Sequence, residues 1–194
     1  MKLVRMFSTD NYKGQRNYLN SQKHYEILRT VIYFAISLSL FAAGWIQTGK
    51  RENLLTIVAV LGCLPACKSA IDMIMFLRFK SCSAENADKI EAHKEGLSGL
   101  FDVVFTSYEK NFSVDHITVR GKTICGFTNS DKFDEQAFYK HLDTMLKKDN
   151  FKDTTIKVFT DVKKYTDRLE QMKELPEDEA LTEGIISTIK CISL

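Results

Sequence analysis

A chain of 194 residues, 44% of them hydrophobic and only two of them proline, is long enough for a domain with its own core and excludes a linker-dominated or disordered protein. Cys63, Cys67, Cys82, Cys125 and Cys191 are odd in number and lack C-x-x-C or zinc-like spacing, which excludes a disulfide framework and predicts buried free thiols. The net charge of +2 says nothing about partners, but its distribution does: Lys2, Arg5, Lys13, Arg16, Lys23 and Arg29 precede the first apolar run, against only Asp10 and Glu26.

Residues 30–48, TVIYFAISLSLFAAGWIQT, belong to a stretch without a charge between Arg29 and Lys50. A bilayer core needs about 20 mostly apolar helical residues to cross it. The basic lead is long and a second apolar segment follows, which reads as an uncleaved helix and not a secretory signal. Residues 1–29, with Phe7, Tyr12, Tyr18 and Tyr25, read as a basic cytoplasmic flank, or alternatively as a stretch binding anionic lipid.

Residues 49–53 make a polar turn. Residues 54–67 are apolar but too few to span, so the second helix must run on to about residue 77. At 1.5 Å per residue, Lys68 lies about 21 Å and Asp72 about 27 Å from the Leu54 end, near the far interface. There Lys68 can reach the headgroups and pair with Asp72 one turn on. Pro65 removes a helix hydrogen bond and predicts a kink. Ionisable residues in a span mark a candidate functional site, so Pro65, Lys68 and Asp72 are singled out, although two helices enclose a pathway only in an oligomer. Ala42, Ala43, Gly44, Gly62 and Ala66 are small enough to let membrane helices approach closely.

Arg78, Lys80, Lys89 and Lys94 follow the second helix, whereas the turn offers only Lys50 and Arg51. That asymmetry places both termini in the cytoplasm, on the inner face of a bacterial-type plasma membrane. The alternative is a soluble hairpin, hydrophobic all round, buried in a complex.

After the hairpin the pattern changes. Residues 81–96 read as a helix capped by Ser83, with Ala84, Ala87, Ile90 and Leu97 on one side. From Phe101 the period becomes two, in FDVVFTSYE, FSVDHITVR and KTICGFT, with turns at Asn111 and at Arg120, Gly121 and Lys122. Three strands so tightly joined predict an antiparallel meander. Residues 134–150 return to helical spacing, with Phe138, His141, Leu142, Met145 and Leu146 as the apolar side and Ser130 or Asp131 as cap. A fourth strand at 154–161, a helix at 162–174, an acidic break around Pro176, and a terminal strand or short helix at 185–194 complete the chain. The predicted fold is thus a two-helix transmembrane hairpin (30–80) followed by an α+β domain (81–194) of order α-β-β-β-α-β-α with a mixed sheet.

That order, with VDHITVRGKTICGFT at its centre, resembles the core of the restriction-endonuclease-like superfamily and in particular its nuclease-related domain. In that family an aspartate followed by histidine opens the second strand and a Glu-x-Lys lies on the third. Asp115 and His116 match the first part, whereas Thr128 and Ser130 stand where the acid and the lysine fall. The resemblance implies Mg²⁺ on two carboxylates with the lysine acting on the nucleophile. Asp115, with Glu91 or Glu95 from the preceding helix, supplies the candidate catalytic carboxylates. The whole chain also resembles small two-span bacterial membrane proteins.

Phosphate-binding, dinucleotide, zinc-protease and nucleophile-elbow motifs are absent from the sequence. By period two, His116 faces away from Asp115 and is expected to be a structural or surface histidine, while His141 is expected to be half-buried. The lysines of the second half interleave with aspartates, which predicts a solvated face and not a nucleic-acid stripe. The expected function is a membrane-tethered cytoplasmic interaction or scaffolding module without catalysis and without a cofactor. Its partners are the bilayer and a protein or a second copy through the membrane helices. The alternatives are a Mg²⁺-dependent nuclease-like hydrolase and a subunit of an oligomeric membrane assembly.

Overall fold

The computed structural model describes residues 12–50, 52–107, 110–130 and 132–194. The expectations placed on Lys2, Arg5, Phe7, Asp10, Arg51 and Asp131, and on Tyr108 and Glu109 of the first strand run, lie outside those residues. The element order is α1 (Tyr18–Thr48), α2 (Leu54–Arg78), α3 (Ala84–His93), β1 (Ser98–Thr106), β2 (Asn111–Arg120), β3 (Thr123–Phe127), α4 (Glu135–Lys148), β4 (Thr155–Phe159), α5 (Val162–Lys173) and α6 (Glu179–Ile192). The chain divides into two compact units, one holding Leu19–Lys80 and the other residues 12–18 together with Ser81–Leu194.

In the first unit α1 starts well before the apolar run, because residues 18–29 contain no glycine or proline and several good helix formers. The flank expected before residue 30 is therefore partly helix. Asn53 caps α2 by accepting the Thr56 N–H at 2.9 Å, and α2 runs on through Pro65. The two helices pack antiparallel with matched steps of seven. The Thr30 hydroxyl meets that of Ser69 at 2.8 Å, a Cβ on Gly62 would lie 2.9 Å from Ser37 Oγ, and one on Gly44 would lie 2.8 Å from Leu55 Cβ. Seven-residue steps keep one seam facing the partner helix. Gly44, Gly62 and Ala66 serve that seam as small residues, whereas Ala42 and Ala43 face outward.

Both helices are long and apolar enough to cross a membrane, and only 17% of each apolar window is buried. Ile36, Leu38, Ile46, Leu61 and Leu64 point away from the seam. The core helix of a soluble protein buries such residues, whereas lipid accepts them where they stand.

In the second unit the sheet order is β1-β2-β3-β4, with the first three strands antiparallel and β4 parallel to β3. The parallel pair follows from the α4 crossover, since a hairpin turn can only reverse the chain. α4 and α6 cover one face around Phe105, Phe112, Ile117 and Phe138. α3 and α5 cover the other around Ile90, Phe101, Phe127 and Tyr165.

Ser83 caps α3 as expected, but Asp134, and not Ser130, caps α4, accepting the Ala137 N–H at 3.1 Å. The last apolar stretch is helix, capped by Asp178, and beyond it the Leu194 N–H reaches the Val104 carbonyl at 2.9 Å. The outer edge of β1 is covered further along by residues 12–18. There Phe101 donates its N–H to the Gly14 carbonyl at 2.8 Å, Lys13 Nζ donates to the Ser193 carbonyl at 3.0 Å, and Arg16 pairs with Asp88 at 2.7 Å. The domain thus takes in chain from before the hairpin as well as after it. Of the five cysteines only Cys125 is buried. Cys63 and Cys82 are half-buried and Cys67 and Cys191 exposed, so the expectation of buried thiols fails for the rest.

Candidate functional site

Asp115 lies in the middle of β2, where strict alternation breaks down. Val114 and Ile117 belong to the same core, as do Leu100 and Val103 on β1, and three-residue spacing requires the period of two to slip between them. The slip falls at Asp102 and Asp115, the one opposed pair missing from the register between β1 and β2. Asp102 takes up the distortion with φ of 56°, a region that aspartate tolerates better than most residues.

The two carboxylates are therefore cross-strand neighbours. Asp102 is 3% exposed and accepts the Cys82 N–H at 2.8 Å, and Asp115 accepts the Asn129 N–H at 2.8 Å. Burial pushes the Asp115 carboxyl up to about 6; the Asn129 bond opposes the rise and the charge of Asp102 adds to it. Burial, assisted by both aspartates, raises the Cys82 thiol to about 12. The sequence signal for Asp102 is a lone acid inside the apolar run FDVVF, which the expected site does not include.

The structure does not place Glu91 or Glu95 among the charges acting on Asp115. Glu91 pairs with Arg16 at 2.9 Å, and Lys94 lies 3.9 Å from it. Glu95 is exposed and lies beyond the helix that was expected to carry it, since α3 ends at His93. Continuing the β2–β3 register one step past His116 and Phe127 sets Thr128 opposite Asp115. Its hydroxyl donates to the Ser113 carbonyl at 2.9 Å. A Mg²⁺ nuclease set needs a second acid and a lysine there, and this donor set does not fit it. Among the described residues no group of three or more histidine, cysteine or carboxylate side chains could hold a metal ion.

His116 is fully buried, so of the two expectations the structural one applies. Its Nδ1 lies 2.7 Å from the Tyr165 hydroxyl, which is also 2.9 Å from Thr118 Oγ1. Its ring packs 4.3 Å from that of Phe101. Gly99 makes the room, since a Cβ there would lie 2.9 Å from His116 Nε2. Burial, with Lys94 adding to it, lowers this imidazole to about 3, so it is neutral near pH 7. Burial likewise raises the Tyr165 phenol. No sequence motif announces this triad, because Tyr165 lies 47 and 49 residues from Thr118 and His116. His141 is half-buried as expected, its ring 6.0 Å from that of Phe112.

The hairpin holds a second polar cluster. Arg29 donates to Asp72 at 3.1 Å and to Ser69 at 3.2 Å, and it also pairs with Glu26, which accepts from Gln22 at 3.0 Å. The partner of Asp72 is thus Arg29 on the other helix, where Lys68 one turn away was expected. Lys68 is exposed, turned out of the seam. The seam explains the difference: Ser69 and Asp72 face α1, and Lys68 points elsewhere. In the sequence Arg29 is a flanking charge like its neighbours, and only the helix register sets it against Asp72.

No family model matches the chain, and no curated protein or solved structure matches it at a significant level. The chain carries two apolar helices consistent with a two-span membrane protein, and the nuclease resemblance rests on the strand order and the Asp115–His116 pair alone.

Proposed function

We propose that the protein is a membrane-tethered cytoplasmic interaction or scaffolding module that performs no chemistry of its own. One observation carries this reading: residues 12–18, before the first apolar helix, fold into the same unit as Ser81–Leu194, after the second. A segment that precedes one crossing and a domain that follows the next can share a fold only on one side of the membrane. The excess of Lys and Arg beside both outer helix ends supports the cytoplasm as that side, which in this proposal is the inner face of a bacterial-type membrane. The replacement of the nuclease acid and lysine by Thr128 and Ser130 supports the non-catalytic part of the reading.

Protease protection on sealed vesicles tests the topology. Inside-out vesicles should lose the domain to added protease and right-side-out vesicles should keep it; the reverse overturns the reading. The full chain should leave DNA intact with Mg²⁺ present, and a cleavage abolished by Asp115→Ala would establish the hydrolase instead. An assembly that conducts through Pro65, Lys68 and Asp72 is disfavoured by the Arg29–Asp72 pair. A liposome ion leak removed by Lys68→Leu would restore it.

A further inference from the structure

The sheet has two edges, and they are treated differently. Along β1 the outer edge meets Gly14, Ser193 and Leu194. Along β4, among the described residues, no strand or terminal segment pairs with the outer edge. Thr155 donates its N–H to Lys122 at 2.9 Å and the Phe159 carbonyl accepts from Thr128 at 3.0 Å, so Thr155, Lys157 and Phe159 address β3. Ile156 and Val158 therefore turn their N–H and C=O outward. An uncovered row of this kind is a template for another strand.

Beside that edge lies a hollow of about 270 Å³ between β4 and α4, lined by the apolar Phe138, Tyr139, Ile156 and Val158 and by the polar Glu135, Gln136 and Lys157. Tyr139 is 46% exposed and is the only large hydrophobic side chain of the soluble unit, among the described residues, to stand so far open. On the opposite face of the strand the exposed Lys157 side chain holds its Nζ 5.2 Å over the Phe159 ring.

We infer that the β4 edge captures an extended segment of a partner protein by strand addition, the segment alternating apolar and acidic residues. Residues opposite Ile156 and Val158 project over Tyr139 and fill the hollow. The acidic residue opposite Lys157 projects toward the Lys157 ammonium group. A second copy is the poorer occupant, because the two-fold pairing of β4 with itself that uses its whole length is centred on Lys157 and sets it opposite Lys157 of the other copy, and like charges across a strand pair repel. This inference deepens the proposed interaction role and names the surface and the chemistry of the partner.

The test uses the full chain in nanodiscs and fluorescence anisotropy with a labelled peptide of alternating valine and glutamate. Saturable binding is expected, with a valine–lysine peptide binding at least about tenfold more weakly. Tyr139→Ala should weaken binding about tenfold or more by removing the anchor, and Lys157→Glu should transfer the preference to the lysine peptide. Ile156→Pro removes one outward donor, which an edge strand tolerates, and should abolish binding while circular dichroism stays unchanged. Absence of saturable binding, equal binding of the two peptides, or binding indifferent to Tyr139→Ala and Lys157→Glu overturns the inference. Dimers dissolved by Tyr139→Ala but not by peptide overturn it in favour of a second copy. Each of these results leaves the vesicle protection result standing, so the two readings fail separately.

Discussion

Leucine and isoleucine meet opposite fates in the two units. In the hairpin, Ile36, Leu38, Ile46 and Leu61 point outward while Ser37, Ser69 and Thr30 are buried between the helices. In the domain, Ile90, Ile117, Leu142 and Leu169 are buried and, among the described residues, Tyr139 is the large apolar side chain left open. The residue types are the same, and what differs is the solvent each surface fits. Against lipid, apolar side chains gain nothing from turning inward, so the seam between helices is filled by small and polar groups that pack and hydrogen-bond. Against water, burial of each large apolar side chain stabilises by about 1.5–3 kcal/mol, and the core collects them.

The largest expected break in the comparison comes from truncating matched residues. Phe138 packs edge-on between Phe105 and Phe112, and Phe138→Ala should cost the domain about 3–5 kcal/mol in chemical denaturation. Leu61→Ala, on the outward face of α2, should stay within about 0.5 kcal/mol in unfolding from micelles. Equal losses at the two sites would show that the hairpin is covered by protein.

Next in size is the polar clip of the hairpin. Arg29→Met leaves Glu26, only 2% exposed, without its cation and should cost about 2–3 kcal/mol. Asp72 adds little to that figure, because at 38% exposure solvent screens it. Arg16→Met, which removes the solvated pairs with Asp88 and Glu91, should shift the denaturation midpoint far less.

Tyr165→Phe removes the hydroxyl shared by His116 and Thr118 inside the core and should cost about 1–3 kcal/mol, read as a lower urea midpoint.

The smallest effect is a pH dependence in which two groups oppose each other. Asp115 has a folded value of about 6 against 3.8 unfolded, so its folded form holds more protons between those values. Its contribution is present below pH 3.8 and is lost as pH rises through 6. His116 has a folded value of about 3 against 6.5 unfolded, so its contribution is present above pH 6.5 and is lost as pH falls toward 3. Together they should leave stability nearly level between pH 4 and 6. Asp115→Asn should unmask the histidine and make the domain lose stability steadily over that interval, and a profile still level after Asp115→Asn would refute the assignment.

Much of the fold was legible because it rests on local pattern. The charge-free run after Arg29 predicts a spanning helix, the change of period at Phe101 predicts strands, and Ser83 marks its helix start. The span of α4 follows from its helical spacing, but its cap does not, because Ser130 and Asp134 are both good caps and the choice between them depends on where the crossover leaves the sheet. The terminal stretch could not be assigned because a short apolar run satisfies either period. At the candidate site, Asp115 and His116 were visible but their environment was not, since the alternation used to orient them slips at the Asp102–Asp115 pair.

Two apolar spans, a basic approach to them and an α+β domain behind them can be read from the chain alone, because hydropathy and period act between near neighbours. It takes the folded chain to show that Arg29 and not Lys68 holds Asp72, that Glu91 pairs with Arg16, that residues 12–18 fold with the domain, and that among the described residues β4 is the open edge. Each of these depends on which distant residues a helix register or strand order brings together, and no local pattern encodes that distance.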